Sequence, residues 1–419
     1  MERYSEYKDS GIQWLGEIPS HWSLRKMKYV FNERSEKNHP NEQPLCATQS
    51  KGVIPQSLYE GRVVVVNKGF DGLKFVREGD FVISLRSFQG GIEYAYYQGI
   101  ISAAYTILQP KEPQMAVYFK YLFKCHDFIQ LLQTCVTGIR EGQNINYPLL
   151  SKKSLPLPTL TEQQAIVSYL DIKCSKLDML VENKEKEILL LSEMKQRVIA
   201  DAVTCGLNPS VKFKATNITW LPEIPEHWEE KRLSSKFVGD VDVNKGFVYK
   251  HAFKFNYGEL VPKNETGDSE EYRDTYIKYS LIKKGDILIN GLNLNYDFVS
   301  QRVACAPNDG IITSAYLVCR PRKGVFYNYY TYLFKAMDGM KLFHGMGSGI
   351  RLTLSFKELK KQMLPVPPLS EQQTIVSYIT ERTAKIDSLI EKLNKEIECI
   401  KEYKQRLISD VVTGQIKVS

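Results

Sequence analysis

At 419 residues, with 43% hydrophobic and 25% charged side chains, the chain is too long for one core and too apolar for a disordered one, so two or three folded domains are expected. No run approaches the ~18 apolar residues of a membrane span, the first ten residues are polar rather than leader-like, and the eight cysteines form no CxxC pair, which points to a cytoplasmic protein with reduced thiols and no zinc site. The net charge of +8 is unevenly placed: residues 162–204 carry −2 and residues 370–419 carry 0, which leaves +10 on the remainder, where a polyanion would bind.

The first block in chain order is Trp14-Leu-Gly-Glu-Ile-Pro-Ser-His-Trp22. Strand character follows at Val63 to Val66, Asp80 to Leu85 and Ser102 to Leu108, and Val117 to Cys135 has Phe, Tyr and Leu at helical spacing, so residues 1–160 read as one α+β domain. A Pro-rich stop from Leu155 and a capping box, Thr161-x-x-Gln164, then predict a long helix over 161–207. Its apolar stripe runs through Leu170, Leu177, Leu180, Leu191, Met194 and Val198 at heptad spacing.

From Trp220 the chain repeats itself. Trp220-Leu-Pro-Glu-Ile-Pro-Glu-His-Trp228 returns the first block at an offset of 206, and Leu364–Tyr378 returns Leu155–Tyr169 at 209. Residues 208–368, with strands at Asp286 to Ile289 and Ile311 to Cys319 and a helix at Tyr327 to Phe343, read as a second α+β domain. Ser370-x-x-Gln373 opens a second long helix over 369–419, with Ile379, Ile386, Leu389, Leu393, Ile400, Tyr403 and Leu407 on its stripe. A period of about 200 residues is a duplicated domain. The expected fold class is therefore α+β: two duplicated domains separated and joined by two long helices. Two stripes in one register predict that the helices pair with each other. A pseudo-twofold relation makes the pair an antiparallel coiled coil, with parallel packing the open alternative.

Duplication also sorts the candidate site residues. Where the copies agree, residues serve scaffold or phosphate; where they diverge, they are candidates for base reading. Arg86, Ser87 and Gln89 face a wholly different stretch containing Asn290, Asn293 and Asn295, and Arg suits guanine as Gln and Asn suit adenine; a solvated hairpin tip is the alternative. Gln143 and Asn144 are further base-reading candidates in the first copy, with a structural role as alternative. The shared Arg140 and Arg351 are phosphate candidates, and Lys51 and Lys245 could touch the same backbone. His21 and His227 read as structural turn residues, and the charged run Glu182 to Glu187 as a solvated helix face. Catalytic residues and metal ligands are not expected. The sole Pro-Pro, Pro367-Pro368, lacks the Asn/Asp-Pro-Pro-Tyr/Phe corner of an amino-methyltransferase, no phosphate loop is present, and Gly345-Met-Gly-Ser-Gly349 follows a helical stretch rather than a strand.

The opening Tyr7-Lys-Asp-Ser-Gly-Ile-Gln-Trp-Leu-Gly-Glu-Ile-Pro-Ser-His-Trp22, the two LP-x-P-x-L-[TS]-EQQ-x-IVSY blocks and the ending KQRLISDVVTGQI resemble specificity subunits of type I restriction-modification systems. The resemblance implies two target-recognition domains, each reading half of a bipartite site on double-stranded DNA, with the long helices fixing their spacing and docking two modification subunits. S-adenosylmethionine chemistry would reside on those partners, ATP and Mg on a restriction subunit, and neither cofactor nor catalysis on this chain. Two other classes are weighed against it: an autonomous enzyme, whose constellation is missing, and a coiled-coil protein-interaction scaffold without DNA specificity. A steep loss of DNA affinity with salt would separate the first reading from the scaffold.

Overall fold

The structure is a computed structural model that describes residues 2–61, 70–137, 144–239, 241–266, 270–347 and 352–418. The chain divides into two compact units, Met1–Lys184 with Asn394–Ser419, and Glu185–Leu393. The expected strand at Val63 to Val66 lies outside the described residues.

Both units carry a four-stranded sheet of the same order. In the first unit Phe31–Arg34, Thr106–Pro110, Phe81–Ile83 and Glu93–Tyr94 lie side by side; in the second the order is Phe237–Val238, Leu317–Pro321, Ile287–Ile289 and Val303–Cys305, with all pairings antiparallel. The inner strands Phe81-Val-Ile83 and Ile287-Leu-Ile289 are continuous apolar runs because both faces are buried. Each is preceded by a buried aspartate that closes the turn. Asp80 accepts from the Arg77 amide at 2.9 Å and from the Arg34 guanidinium at 2.9 Å; Asp286 accepts from the Lys283 amide at 2.9 Å and from Arg320 at 2.8 Å. The carboxylates match between copies, but the arginines come from different strands. Burial raises the Asp80 pKa against the opposing pull of the Arg77 amide and Arg34.

The long helices span Leu160–Cys205 and Leu369–Val412. The first is capped one residue pair earlier than the sequence pattern indicates: Thr159 and Glu162 form the reciprocal box, with the Thr159 amide donating to Glu162 Oε2 at 3.2 Å and the Glu162 amide to Thr159 Oγ1 at 3.3 Å. In the second, Pro368 occupies the corresponding place and its carbonyl accepts from the Gln372 amide at 3.0 Å. The glutamines are used differently. Gln163 and Gln372 are buried and donate back to the carbonyls of Pro158 and Pro367 at 2.9 and 2.8 Å.

Within the first unit, the start of the central helix packs with the end of the C-terminal helix: Ile166, Leu170 and Cys174 share a core with Trp22, Phe119, Leu407, Ile408, Val411 and Val412. The second unit repeats this with Ile375 and Ile379 against Trp228, Ile199, Ala202 and Val203. Both helices end on a glycine in the left-handed region, Gly206 (φ 75°) and Gly414 (φ 79°). A β-carbon on Gly414 would lie 2.4 Å from Pro19 and 3.0 Å from Trp22, and one on Gly206 3.2 Å from Trp228. The repeated tryptophan therefore seats against a helix end that only glycine allows.

The helix residues expected to form the paired core divide in two. Leu170, Ile379, Ile386 and Leu393 are buried, and Leu177, Leu191 and Ile400 half-buried. Leu180 and Leu389 are 49% and 48% exposed, and Met194 and Tyr403 are likewise exposed, which removes them from the buried row. The row instead passes through Cys174, Val181 and Ile188 on one helix and Thr383, Ile390 and Ile397 on the other, one residue round from the expected positions. Lys404 binds Asp178 at 2.6 Å and Lys184 binds Glu396 in the first unit, and Lys195 binds Asp387 at 2.6 Å in the second.

Candidate nucleic-acid interface

Among the described residues, those of the repeated His-Trp and Glu-Gln-Gln blocks are bonded into the scaffold. His21 Nε2 meets Glu162 Oε1 at 2.7 Å and His227 Nε2 meets Glu371 Oε2 at 2.7 Å, so the repeated His-Trp and Glu-Gln-Gln blocks join at the start of each long helix. Lys8 and Lys214 donate to the carbonyls of Trp22 and Trp228, both at 2.5 Å. Tyr118 and Tyr329, both buried, donate to the carbonyls of Val412 and Val203, each at 2.9 Å, and so cap a helix end. None of these side chains is left to read a ligand. The tyrosines were missed because one hydroxyl in an aromatic helix carries no local signal.

The diverging stretches around Arg86 and Asn293 are connections between matched strands. In the first unit, residues 84–92 join Phe81–Ile83 to Glu93–Tyr94; in the second, residues 290–302 join Ile287–Ile289 to Val303–Cys305. Arg86 and Gln89 are exposed at a one-turn helix, Ser87–Gly90. Ser87 is not available beside them: it is 2% exposed and its hydroxyl accepts from the Ser84 amide at 2.9 Å, so its side chain shapes the turn. In the second loop Asn293 is exposed, at φ 53°, while Asn290 turns its Oδ1 to the Leu292 amide at 3.2 Å and Asn295 buries its Oδ1. Asn144 is exposed on the short strand Asn144–Ile145. Lys51 and Lys245 are exposed on turns braced by buried neighbours: Thr48 Oγ1 accepts from the Lys51 amide at 2.9 Å, and Asn244 Nδ2 donates to the Tyr249 carbonyl at 2.8 Å. Arg140, Gln143 and Arg351 lie outside the described residues.

Two cations, the half-buried Lys124 and the buried Arg302, stand beneath these loops. Lys124 Nζ reaches Glu93 Oε1 at 2.6 Å, and burial pushes the Glu93 carboxyl up to about 7 despite that ammonium. The Arg302 side chain is fully buried, its amide donates to Asp338 Oδ2 at 2.7 Å, and burial raises the Asp338 pKa. Above Arg302 the tip Tyr296, Phe298 and Val299 is exposed, with Phe298 stacked on His344 at a centroid separation of 4.6 Å. Side-chain and backbone hydrogen bonds from Ser300 hold the Asp297 carboxyl down at about 2. Among the described residues no group of three or more His, Cys, Asp or Glu is placed to hold a metal, and no helix is long and apolar enough to cross a membrane.

The arrangement offers exposed, chemically distinct polar loops on two matching scaffolds. The type I restriction modification DNA specificity domain matches twice, over residues 19–190 and 225–399. The MjaVIII type I restriction enzyme specificity subunit of Methanocaldococcus jannaschii is 26% identical over 371 residues, covering 82% of this chain and 80% of that protein. The EcoBI specificity subunit of Escherichia coli is 25% identical over 282 residues, covering 62% of this chain and 58% of that one. A solved chain from work on complex assembly and conformational transition of the type I R-M system has a TM-score of 0.67 at 15% identity, covering 95% of this chain and 99% of that chain, a likeness of fold. The chain therefore belongs to the type I restriction-modification DNA specificity family, as a non-catalytic specificity subunit that carries two of its domains.

Proposed function

We propose that each domain reads one half of a bipartite double-stranded DNA site through the loop where the repeats diverge. Arg86 and Gln89 are the leading base readers of the first half, with Gln143 and Asn144 as further candidates, and Asn293 leads in the second. Lys51, Lys245, Arg140 and Arg351 contact phosphates and set register. The observation that carries the reading is the division of labour: residues shared by the copies, such as His21, Trp22 and Tyr118, are bonded into the scaffold, whereas Arg86, Gln89 and Asn293 face solvent.

The two long helices form an antiparallel coiled coil about a pseudo-twofold axis. The partners Asp178 with Lys404, Lys184 with Glu396, and Lys195 with Asp387 support it, since positions rise along one helix as they fall along the other. This pair docks two modification subunits, which bind S-adenosylmethionine, and a restriction subunit supplies ATP- and Mg-dependent translocation and cleavage; the chain itself binds no cofactor and works in the cytoplasm. The test is the methylated motif in DNA of cells that express this chain with a competent modification subunit. A bipartite motif with an unspecified gap, absent without this chain, is expected. Methylation independent of the chain would overturn the reading in favour of a scaffold that binds protein alone.

A further inference from the structure

Lys124 follows the helix Ala116–Leu122 and lies beneath two separate turns. Its Nζ donates to the Gln49 carbonyl at 3.2 Å, to the Gly90 carbonyl at 2.8 Å and to Glu93 Oε1 at 2.6 Å. The first acceptor belongs to the turn that carries Lys51, the second to the loop that carries Arg86 and Gln89. Three acceptors use all three protons of an ammonium, so Lys124 has none left for a phosphate. The loop is also held by direct backbone contact. Gly91 has φ 86°, and a β-carbon there would stand 2.2 Å from the Phe123 carbonyl, so the loop backbone rests directly on the residue before Lys124.

The second unit has the same device from an unrelated position. Arg302 sends one terminal nitrogen to the carbonyls of Asn290 and Leu292, at 2.9 and 2.8 Å, and the other to Asp297 and Asn293, at 2.6 and 3.5 Å. These four carbonyls define the path of the loop that presents Asn293. One cation follows a helix and the other precedes a strand, so the two repeats reach one solution through different residues.

We infer that Lys124 and Arg302 are positioning residues for sequence reading: each clamps the backbone of its own loop, and the base preference of each half-site depends on a cation whose donors are spent on that loop and which does not touch DNA. The inference rests on the proposed reading of these loops. Charge-assisted hydrogen bonds to several carbonyls hold a loop in one shape before DNA arrives. Loss of the clamp lets the exposed side chains address more than one base. It therefore relaxes discrimination at one half-site and leaves the other intact.

The experiment uses the chain assembled with its modification subunits and measures competition by duplexes with single-base changes in either half-site. Lys124→Met is expected to reduce discrimination at the first half about tenfold, on the scale of one mismatched base pair, with the second half within about twofold. Arg302→Met gives the mirror result, and Lys124→Arg, which keeps the cation, recovers most of the loss. Equal loss at both halves, or none, overturns the inference. Arg86→Ala and Gln89→Ala separate the two claims: if they leave the first half unchanged, the loop reading fails and the clamp with it; if they relax it while Lys124→Met does not, the clamp alone fails. Should Lys124→Met not assemble, Glu93→Gln at pH 8, above the carboxyl's value of about 7, carries the test, because it removes the countercharge of Lys124 at constant size and is expected to relax the first half only. Should Arg302→Met not assemble, Arg302→Lys, which keeps the charge but loses the fork of donors, is expected to relax the second half only.

Discussion

Glu93 is ionisable, buried and in contact with its countercharge, and burial still dominates: the carboxyl is pushed up to about 7. An unfolded chain ionises this group in the ordinary range near 4.5, while the folded chain holds its proton to about 7. Folding therefore takes up a proton in that window, and the contribution to stability is fully present below the lower value and lost as pH rises through the upper one. It amounts to no more than about 3 kcal/mol. Denaturant unfolding at pH 5 and pH 8 should show wild type losing stability across the interval and Glu93→Gln losing less; parallel losses would refute the assignment. The tyrosine caps give a second expectation at this scale. Tyr118→Phe and Tyr329→Phe each strip a buried helix-end carbonyl of its donor and should cost about 1–3 kcal/mol in the same measurement.

At the scale of elements, the heptad stripe shows which part of the architecture a sequence discloses. Leu170, Leu177 and Leu191 belong to the row because seven-residue spacing fixes one edge of it without ambiguity. The second edge does not follow from hydrophobicity. Leu180 is more apolar than many core residues yet exposed, the neighbouring Val181 turns inward, and Lys195 joins the row through its pair with Asp387. Ile397→Ala should therefore cost about 2–4 kcal/mol, and Leu389→Ala or Leu180→Ala about 0.5 kcal/mol or less, read by thermal unfolding. Comparable effects from all three would mean that the exposed positions are covered in solution. The loops were legible in outline, since divergence between copies pointed to residues 86–90 and 290–295, but not in detail. Ser87 reads as a polar reader and acts as a turn brace, and Arg302 follows the polar Ser300 and Gln301 just before the strand Val303–Cys305, with nothing local to reveal that its targets are backbone carbonyls.

At the scale of the whole chain, the excess of +10 outside the long helices predicts binding that is steeply sensitive to salt. Lys51→Gln and Lys245→Gln should each reduce the slope of log affinity against log salt by about 1 and weaken all sequences alike. A change in motif with either variant would make that lysine a base reader instead. The internal repeat and fold class could be read because matching blocks recur 206 to 209 residues apart. How those blocks meet could not, because His21 finds Glu162, and Trp22 finds Gly414, only in three dimensions.

That last contact bears on how the protein is made. Trp22 shares its core with Leu407, Ile408, Val411 and Val412, so the amino-terminal repeat emerges from the ribosome without the helix end that covers it. At 5–20 residues per second the wait is roughly 20–80 seconds. The second unit, by contrast, is complete once Leu393 has been added. The half translated first is thus the last to close, and its uncovered tryptophan face is what a chaperone or protease would meet on a stalled or prematurely terminated chain.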